Sequence, residues 1–386
     1  MKKIYMILPL ILILCFMVSC QDEEATVKRI MEDGVEVIIN HLEPHIVKGE
    51  PSTFHIEKEF VIDTEMDEIA SLGLTDMGAF DVDSKGNIYL VNLKSSENII
   101  FKFDRDGNFV RSFCRKGQGP GELQMTAYLR INSQDEIMIT ELYNKLLVFN
   151  ADGDFINETR FSALVTIGLA VIPINNSNYL ILWGVNDPSA EFLFQRPLSL
   201  FSSEFEEIKR LDSLKVPNYL RGKRVSATYL FAFSLSKEHI FVGNDNRGYE
   251  IWVYDLEGNL ARKIRKEYKK VPLTKEYIEE YMKVLDSQRK EMTDFPESFP
   301  PYQAFFMGDK GQLFVMTYEK GEDSGEYVFD IFNEDGLFIG RKSLRVFFDF
   351  INEGFLWATV KQNHLYCRDE KENGFKKLVV YKMTWE

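Results

Sequence analysis

A five-residue pattern recurs along the chain: an aromatic residue, Asp or Asn, any residue, an acidic residue and then Gly. Each copy stands between two apolar runs of the length of a β-strand. An Asp or Asn side chain at a turn entry accepts backbone hydrogen bonds, and Gly adopts the left-handed conformation that a tight hairpin needs. The pattern therefore predicts repeated β-hairpins. Its copies are FDRDG at 103–107, FNADG at 149–153, YDLEG at 254–258 and FNEDG at 332–336, with a degenerate copy, FSSEF, at 201–205.

A second pattern, a polar turn followed by the start of an apolar strand, occurs six times. Between the first apolar residues of successive copies the spacing is 49, 43, 60, 73 and 52 residues. A unit of this length holds two hairpins, and four strands make one blade of a β-propeller. The sequence therefore predicts an all-β, six-bladed β-propeller over residues 51–386. The first apolar residues are Ile88, Ile137, Leu180, Ile240, Leu313 and Leu365.

The first 20 residues are organised as a secretory signal. Two lysines precede an apolar run from Ile7 to Val18, and the small Ser19 then precedes Cys20. This predicts a signal peptide over 1–19, because the run is too short and wrongly flanked for a spanning helix. The stretch Met17–Cys20 resembles the lipobox of bacterial lipoproteins, which implies cleavage before Cys20 and lipid on its sulfur. An ordinary signal peptide that happens to end in Cys is the alternative.

The residues after Cys20 carry a second localisation signal. The acidic stretch Gln21–Glu24 is similar to the export tag of surface-exposed lipoproteins in some Gram-negative bacteria; a solvated tether is the other interpretation. We therefore expect a lipid anchor in the outer membrane, at the cell surface or on the periplasmic face. Residues 20–50 are predicted to form a linker, with a short strand at GVEVII (34–39).

The span 113–153 contains a Gly/Pro-rich joint, a strand, a turn, a second strand and a hairpin of the FDxDG kind, in that order. This order resembles a blade of the NHL type. The joint GQGPGE (117–122), together with the lipobox, resembles the six-bladed β-propeller lipoproteins of Gram-negative bacteria. The resemblance covers residues 54–386 and implies the fold. It leaves the activity open, because propellers host binding, scaffolding and catalysis alike.

The joint Gly117–Glu122 is predicted to connect the outer strand of one blade to the inner strand of the next. Glycines permit the unusual dihedral angles of such a crossing, and Pro120 stiffens it. A phosphate-binding loop would need a following helix with Lys and Ser or Thr in place. The sequence runs into a strand instead, which argues against a nucleotide site.

Two further features complete the predicted architecture. The last blade is one strand short at the C-terminus, and FHIEKEFVID (54–63) is predicted to supply the missing strand and close the ring. An amphipathic helix is predicted at 273–292 within an insertion over about 273–293 between blades four and five, with Thr274 as its N-cap. This helix is either a packing element or a lid or docking element.

Composition narrows the function classes. The net charge of −14 argues against nucleic acid as a partner, because an acidic surface repels phosphates. Beyond Cys20, the mature chain holds Cys114 and Cys367 in apolar runs. They are predicted to be buried free thiols, with a disulfide as the alternative. None of the five His forms a metal-binding pair such as HExxH, and we predict neither a metal nor another cofactor.

Ligands of propellers usually bind where inner strands begin and blade joints converge. Aromatic rings beside polar groups in such places suit a sugar or peptide. The predicted role is non-catalytic binding or scaffolding of a glycan, peptide or protein partner. The alternatives are a metal-dependent lyase or hydrolase at the axial channel and a structural subunit whose inserted helix is an interface. The candidate ligand-binding residues are Arg115, Gln118, Trp183, Tyr302 and Gln303.

Overall fold

The second strand of most blades is buried on both faces, because it lies between neighbouring sheets; its sequence is therefore a nearly continuous apolar run, as in IYLVN at 88–92. The structure is a computed structural model, and it describes residues 27–46, 49, 51–95, 97–124, 126–141, 145–160, 168–174, 178–186, 191–346 and 358–386.

In the described ranges, six of the seven sheets have the strand order of a propeller blade, and the seventh is a two-stranded sheet. Near the N-terminus lie β1 (Val27–Glu32), β2 (Val35–Asn40) and β3 (Phe54–Asp63). Blade 1 contains β4 (Met77–Val82), β5 (Ile88–Asn92), β6 (Ile100–Phe103) and β7 (Phe109–Phe113). Blade 2 contains β8 (Thr126–Ile131), β9 (Ile137–Glu141), β10 (Lys145–Phe149) and β11 (Phe155–Arg160). Blade 3 contains β12 (Gly168–Pro173), β13 (Asn178–Trp183), the short β14 (Val185–Asn186), β15 (Phe192–Ser202) and β16 (Glu207–Pro217).

The second half of the ring is built in the same way. A two-residue strand, β17 (Val225–Ser226), precedes blade 4, which contains β18 (Phe231–Leu235), β19 (His239–Asn244), β20 (Glu250–Asp255) and β21 (Leu260–Lys266). After β22 (Thr293–Asp294), blade 5 contains β23 (Ala304–Met307), β24 (Leu313–Lys320), β25 (Tyr327–Phe332) and β26 (Phe338–Leu344). Blade 6 contains β27 (Ala358–Lys361), β28 (His364–Glu370) and β29 (Lys376–Trp385). First strands of neighbouring blades contact one another, so they line the axis.

Strand β3 closes the ring. It pairs antiparallel with β29, from Phe54 opposite Trp385 to Asp63 opposite Lys377, and becomes the outer strand of blade 6. Phe54 is fully buried in this sheet. The predicted six blades and the predicted closing strand are both confirmed.

The predicted linker contains more structure than one short strand. Strands β1 and β2 form a hairpin around Asp33 and Gly34, both with positive φ, and β2 pairs in parallel with β21. Blade 4 therefore has six strands. The hairpin belongs to the ring because Val37 and Ile38 are fully buried against it. The stretch predicted as a linker is thus partly a component of blade 4.

The segment after the hairpin follows the outer edge of blade 5. The fully buried Asn40 side chain donates to the Gly336 carbonyl at 3.0 Å and accepts from the Phe338 amide at 2.8 Å. The backbone amide of His45 donates to the Phe338 carbonyl at 2.7 Å. The N-terminal segment therefore lies on the rim from blade 4, past blade 5, to blade 6. We call the described residues of this segment, 27–46, 49 and 51–63, the belt.

The predicted helix at 273–292 is two helices. Helix α1 (Asp67–Ser71) lies between blades 6 and 1, whereas α2 (Lys275–Lys283) and α3 (Ser287–Met292) form the insertion. Thr274 caps α2 as predicted, accepting from the Tyr277 amide at 3.1 Å. The helix is interrupted after Val284 because the Asp286 side chain caps a new helix. This side chain accepts a hydrogen bond from the Arg289 amide at 2.8 Å. No helix within the described ranges is long and apolar enough to cross a membrane.

Candidate functional site

The rim of the ring is covered on one side and open on the other. The belt extends the sheet of blade 4, contacts the edge of blade 5 and supplies the outer strand of blade 6. The outer strands of blades 1, 2 and 3 are β7, β11 and β16, and none of them has a further strand beside it in the described part of the chain. We call these three edges the open rim.

The open rim exposes large apolar side chains where each outer strand begins. On the edge of blade 5, which the belt contacts, the corresponding Phe338 is fully buried. An unpaired strand edge with exposed apolar side chains is a ready template for another extended chain. The exposed residues, between 39 and 54% accessible, are Phe109, Val110, Phe155, Ile156 and Ile208.

A shallow depression of about 300 Å³ lies on the open rim where blades 1 and 2 meet, and it is open to solvent. The ring of Phe155 lies over Gly121, so the first residue of β11 packs on the joint between the blades. A shape of this kind suits a protruding side chain of a larger partner better than an enclosed small molecule. The lining residues are Glu97, Cys114, Arg115, Pro120, Gly121, Glu122, Phe149, Gly153 and Phe155.

The joint GQGPGE folds around the carboxylate of Glu122. That carboxylate accepts from the Gly119 amide at 2.9 Å and from the Arg115 guanidinium at 2.6 Å. These hydrogen bonds, the Gly119 amide first, hold the pKa of Glu122 below its usual value. A side chain at Gly117 would collide with the same carboxylate. The joint connects β7 to β8, so its predicted role as a crossing between blades is correct.

Lys145 connects this joint to blade 2. Its nearly buried ammonium donates to the Glu122 carbonyl at 2.8 Å and pairs with Glu158 on β11 at 2.9 Å. The joint that lines the depression is therefore connected to the second blade. Buried charges of this kind are stable when their hydrogen bonds are satisfied.

Both remaining cysteines are free thiols, as predicted. Cys114 directly follows β7 in a left-handed conformation, and its Sγ lies 3.4 Å from the Gly121 carbonyl. Burial raises the pKa of the Cys114 thiol to about 12, so it stays protonated at neutral pH. Cys367 is fully buried in β28, and burial raises its pKa as well. Neither thiol has the properties of a nucleophile.

The insertion is held on the ring by aromatic contacts. The rings of Phe299 and Tyr318 stack with their centroids 4.2 Å apart, and Tyr277 meets Phe299 edge-on at 4.9 Å. The Tyr277 hydroxyl donates to the Ala227 carbonyl at 3.2 Å. Aromatic residues of the insertion thus attach α2 to blade 5 and to the connection before blade 4.

The predicted ligand-binding residues do not form one site. Arg115 and Gln118 are exposed on the joint between blades 1 and 2, and Arg115 lines the depression. Trp183 ends β13 in blade 3, where its indole donates to Ser199 at 3.3 Å. Tyr302 and Gln303 precede the first strand of blade 5. The five residues therefore lie in three separate parts of the ring.

Tyr302 is a core residue, which corrects its prediction as a ligand contact. It is fully buried, with its ring 4.9 Å from that of Tyr249. The neighbouring Gln303 uses its side-chain amide to donate to the Thr317 carbonyl. A sequence position just before an inner strand therefore does not indicate whether an aromatic residue is exposed or packs between blades.

The apolar residues of the open rim were missed because they follow the predicted hairpin turns and look like ordinary strand residues. Phe109 and Phe155 directly follow FDRDGN and FNADGD in the sequence. Only the position of the belt shows that their strands are edges without cover. Among the described residues no three His, Cys, Asp or Glu side chains converge as metal ligands.

This architecture defines a class: a six-bladed β-propeller closed by an N-terminal strand, with its joints and one insertion at one end of the sheets. The family model of DUF5128, described as a 6-bladed beta-propeller, matches residues 81–338, and the chain belongs to this family. A comparison with curated protein sequences finds no significant match.

Two solved structures from Bacteroides are similar to this chain. A member of the duf4221 family from Bacteroides vulgatus is 13% identical, with a TM-score of 0.53, and the match covers 87% of this chain and all of that one. A candidate exported protein from Bacteroides fragilis is 12% identical, with a TM-score of 0.49, covering 90% of this chain and 99% of that one. At 13% identity the likeness to the duf4221 protein shows the fold alone.

Proposed function

We propose that the protein is a lipid-anchored, non-catalytic binding protein of the cell envelope, which captures an extended segment of a protein partner on its open rim. The observation that carries this proposal is the asymmetry of the rim. The belt adds strands to blades 4 and 6 and hydrogen-bonds to the edge of blade 5, whereas β7, β11 and β16 have no such addition among the described residues and expose apolar side chains. Within the described ranges, the outermost belt strands, β1 and β3, are themselves unpaired on their outer side. Soluble proteins normally protect such edges.

Strand addition is the binding mode that these edges favour. The molecule already uses this mode within itself, where β2 adds to β21 and buries Val37 and Ile38. A partner strand beside β7 or β11 would gain main-chain hydrogen bonds, and Phe109 and Ile156 would contact its alternate side chains.

Charge narrows the chemistry of the partner. The guanidinium groups of Arg111, Arg115 and Arg160 are exposed on the rim of blades 1 and 2. Each of them pairs with a carboxylate of the ring: Arg115 with Glu122 at 2.6 Å, and Arg111 and Arg160 more loosely, with Asp154 at 3.6 Å and Glu158 at 3.8 Å. A segment that alternates apolar and acidic residues would complement this strip of an otherwise acidic protein.

The anchor is part of the proposal. Lipid on Cys20 would hold the ring at the outer membrane, at the cell surface or on the periplasmic face. Metabolic labelling with a palmitate analogue should mark the wild-type protein, and Cys20→Ala should remove both the label and its retention in membranes. Labelling that persists in Cys20→Ala would contradict the anchor.

The rim is tested by photo-crosslinking in intact cells that produce the full chain. A photoreactive amino acid at Ile156 should crosslink to a discrete protein, whereas the same group at Phe375, equally exposed on blade 6, should not. Arg111→Glu should strongly reduce the Ile156 crosslink. Identical crosslinks at both positions, or none at the rim together with binding to a glycan array, would contradict capture of a protein segment.

A further inference from the structure

The outer strands of blades 1 and 4 are close counterparts. Strand β7 begins two residues after Gly107, and β21 begins two residues after Gly258. Both strands carry an apolar residue, an arginine and a second apolar residue two, four and six positions after that glycine. Each pairs with the third strand of its blade in the same register, with a bulge at the same place. The corresponding residues are Leu260, Arg262 and Ile264 in β21 and Phe109, Arg111 and Phe113 in β7.

These two strands also contact the next blade in the same way. A Cβ added at Gly336, in the turn of blade 5, would stand 2.8 Å from Ile264. A Cβ added at Gly153, in the turn of blade 2, would stand 2.5 Å from Phe113. The outer edges of β21 and β7 are therefore built alike where blade 4 meets blade 5 and where blade 1 meets blade 2.

At blade 4 the chain covers this edge with its own strand. Strand β2 runs parallel to β21, with Glu36 opposite Arg262 and Ile38 opposite Ile264. Ile38 is fully buried, and its side chain reaches within 3.3 Å of the Cβ that would be added at Gly336. Strand β2 is therefore an internal example of a strand that binds such an edge.

The depression between blades 1 and 2 corresponds to the site of Asn40. The Asn40 side chain donates to the Gly336 carbonyl and accepts from the Phe338 amide on the turn of blade 5. At the same positions of the repeat, blade 2 has the Gly153 carbonyl and the Phe155 amide, and both residues line the depression. The amide of an Asn side chain holds one donor group and one acceptor, so it suits both of these backbone groups.

Strand β11 is a poorer counterpart of β21 than β7 is. It holds Asn157 and Thr159 at the positions of Arg262 and Ile264. It thus lacks the positive charge and the second apolar residue that stand opposite β2 on blade 4. Of these two open edges, β7 therefore matches the internal example.

We propose that the open rim binds its partner on β7, as a strand that runs parallel to β7 and carries an acidic residue, an aliphatic residue and Asn at alternate positions. This assignment rests on the capture of a protein segment proposed above and gives it a direction and a register. The acidic residue lies beside the exposed Arg111, the aliphatic residue lies beside Phe113, and the Asn side chain enters the depression. Main-chain hydrogen bonds supply affinity, and the three side chains supply selection.

A fluorescent peptide that copies residues 34–42 tests the register on the purified full chain, with anisotropy as the measure of binding. Arg111→Glu should weaken binding several-fold, and Glu36→Lys in the peptide should restore it, because this register places the two charges side by side. Asn40→Ala in the peptide should also weaken binding several-fold. Arg160→Glu on β11 is the matched control and should leave the affinity unchanged, since Arg160 is exposed and loosely paired, as Arg111 is.

Crosslinks show the direction of the bound strand. A photoreactive group at the C-terminus of the peptide should attach to the joint at 117–122, whereas the same group at the N-terminus should attach near Phe109. The reverse pattern would overturn the parallel direction. Crosslinks to β21, which would show that the peptide displaces the protein's own β2, would overturn the assignment to β7.

Failure of this assignment can be told apart from failure of the proposed function. Binding that the charge exchange does not restore overturns the register. No binding of the peptide, while a group at Ile156 still crosslinks a protein in cells, overturns the motif and leaves the rim as the capture site. Loss of both signals overturns both proposals.

Discussion

At the level of single residues, the glycine of the FDxDG pattern has two roles, of which only one can be read from the sequence. The turn predicts a positive φ, and Gly153 has φ +83°. The structure adds that a Cβ at Gly153 would stand 2.5 Å from the ring of Phe113 on the previous blade. Gly107 meets Phe60 of blade 6 in the same way. These glycines therefore allow neighbouring blades to approach closely.

The substitution Gly153→Ala should separate the two roles. Left-handed Ala costs roughly 1–2 kcal/mol, and crowding of a packed contact adds roughly 1–3 kcal/mol. Gly374→Ala is the matched control, because Gly374 has φ +82° but no atom within 4 Å of an added Cβ. Chemical denaturation should show the larger loss in the free energy of unfolding for Gly153→Ala. Equal losses would mean that the contact with Phe113 is unimportant.

At the level of elements, β1–β2 and β3 have different consequences although both come from the N-terminal belt. The hairpin widens a blade that is already complete, whereas β3 is the outer strand that blade 6 lacks. The sequence predicted β3 from its isolation before the first blade. It did not predict where the hairpin docks, because the parallel pairing with β21 joins residues more than 200 positions apart.

Two truncations should therefore behave differently. A chain that starts at Leu42 should keep a cooperative transition but lose roughly 3–6 kcal/mol of stability, since Val37 and Ile38 each contribute about 1.5–3 kcal/mol on burial. A chain that starts at Glu65 lacks β3 and should lose its cooperative transition. Circular dichroism on heating measures both. Equal behaviour of the two chains would contradict the closing role of β3.

At the level of the whole molecule, charge pairs connect blades that hydrophobic contacts also join. Between blades 4 and 5, the Tyr249 hydroxyl donates to Asp330 at 2.8 Å, and the Lys266 ammonium lies 3.4 Å from the same carboxylate. Within blade 5, Arg341 then bridges Asp330 to Glu319. The hydrogen bonds that Arg341 donates to Glu319 hold the pKa of the Glu319 carboxyl below its ordinary value of 4.5. The net charge of −14 adds repulsion that such pairs offset locally.

The stability of the ring should consequently decrease in acid. A carboxylate with a lowered folded-state pKa contributes stability that is fully present above its unfolded pKa and is lost as pH falls through the folded value. The melting temperature should thus fall as pH drops below about 4.5, the ordinary value for Glu319. Glu319→Gln should flatten this decrease. The matched control, Glu372→Gln in an exposed turn, should not, and an identical effect of both would refute the assignment.

Turn chemistry and repeat spacing are local properties, so the sequence alone determined the hairpins, the number of blades, the closing strand and the position of the Gly/Pro-rich joint. The docking of the hairpin on blade 4, the burial of Tyr302 and the open rim depend on contacts between residues far apart in the chain. They were decided only by the tertiary structure, because an apolar residue after a turn has the same local pattern whether its strand is covered or remains an edge.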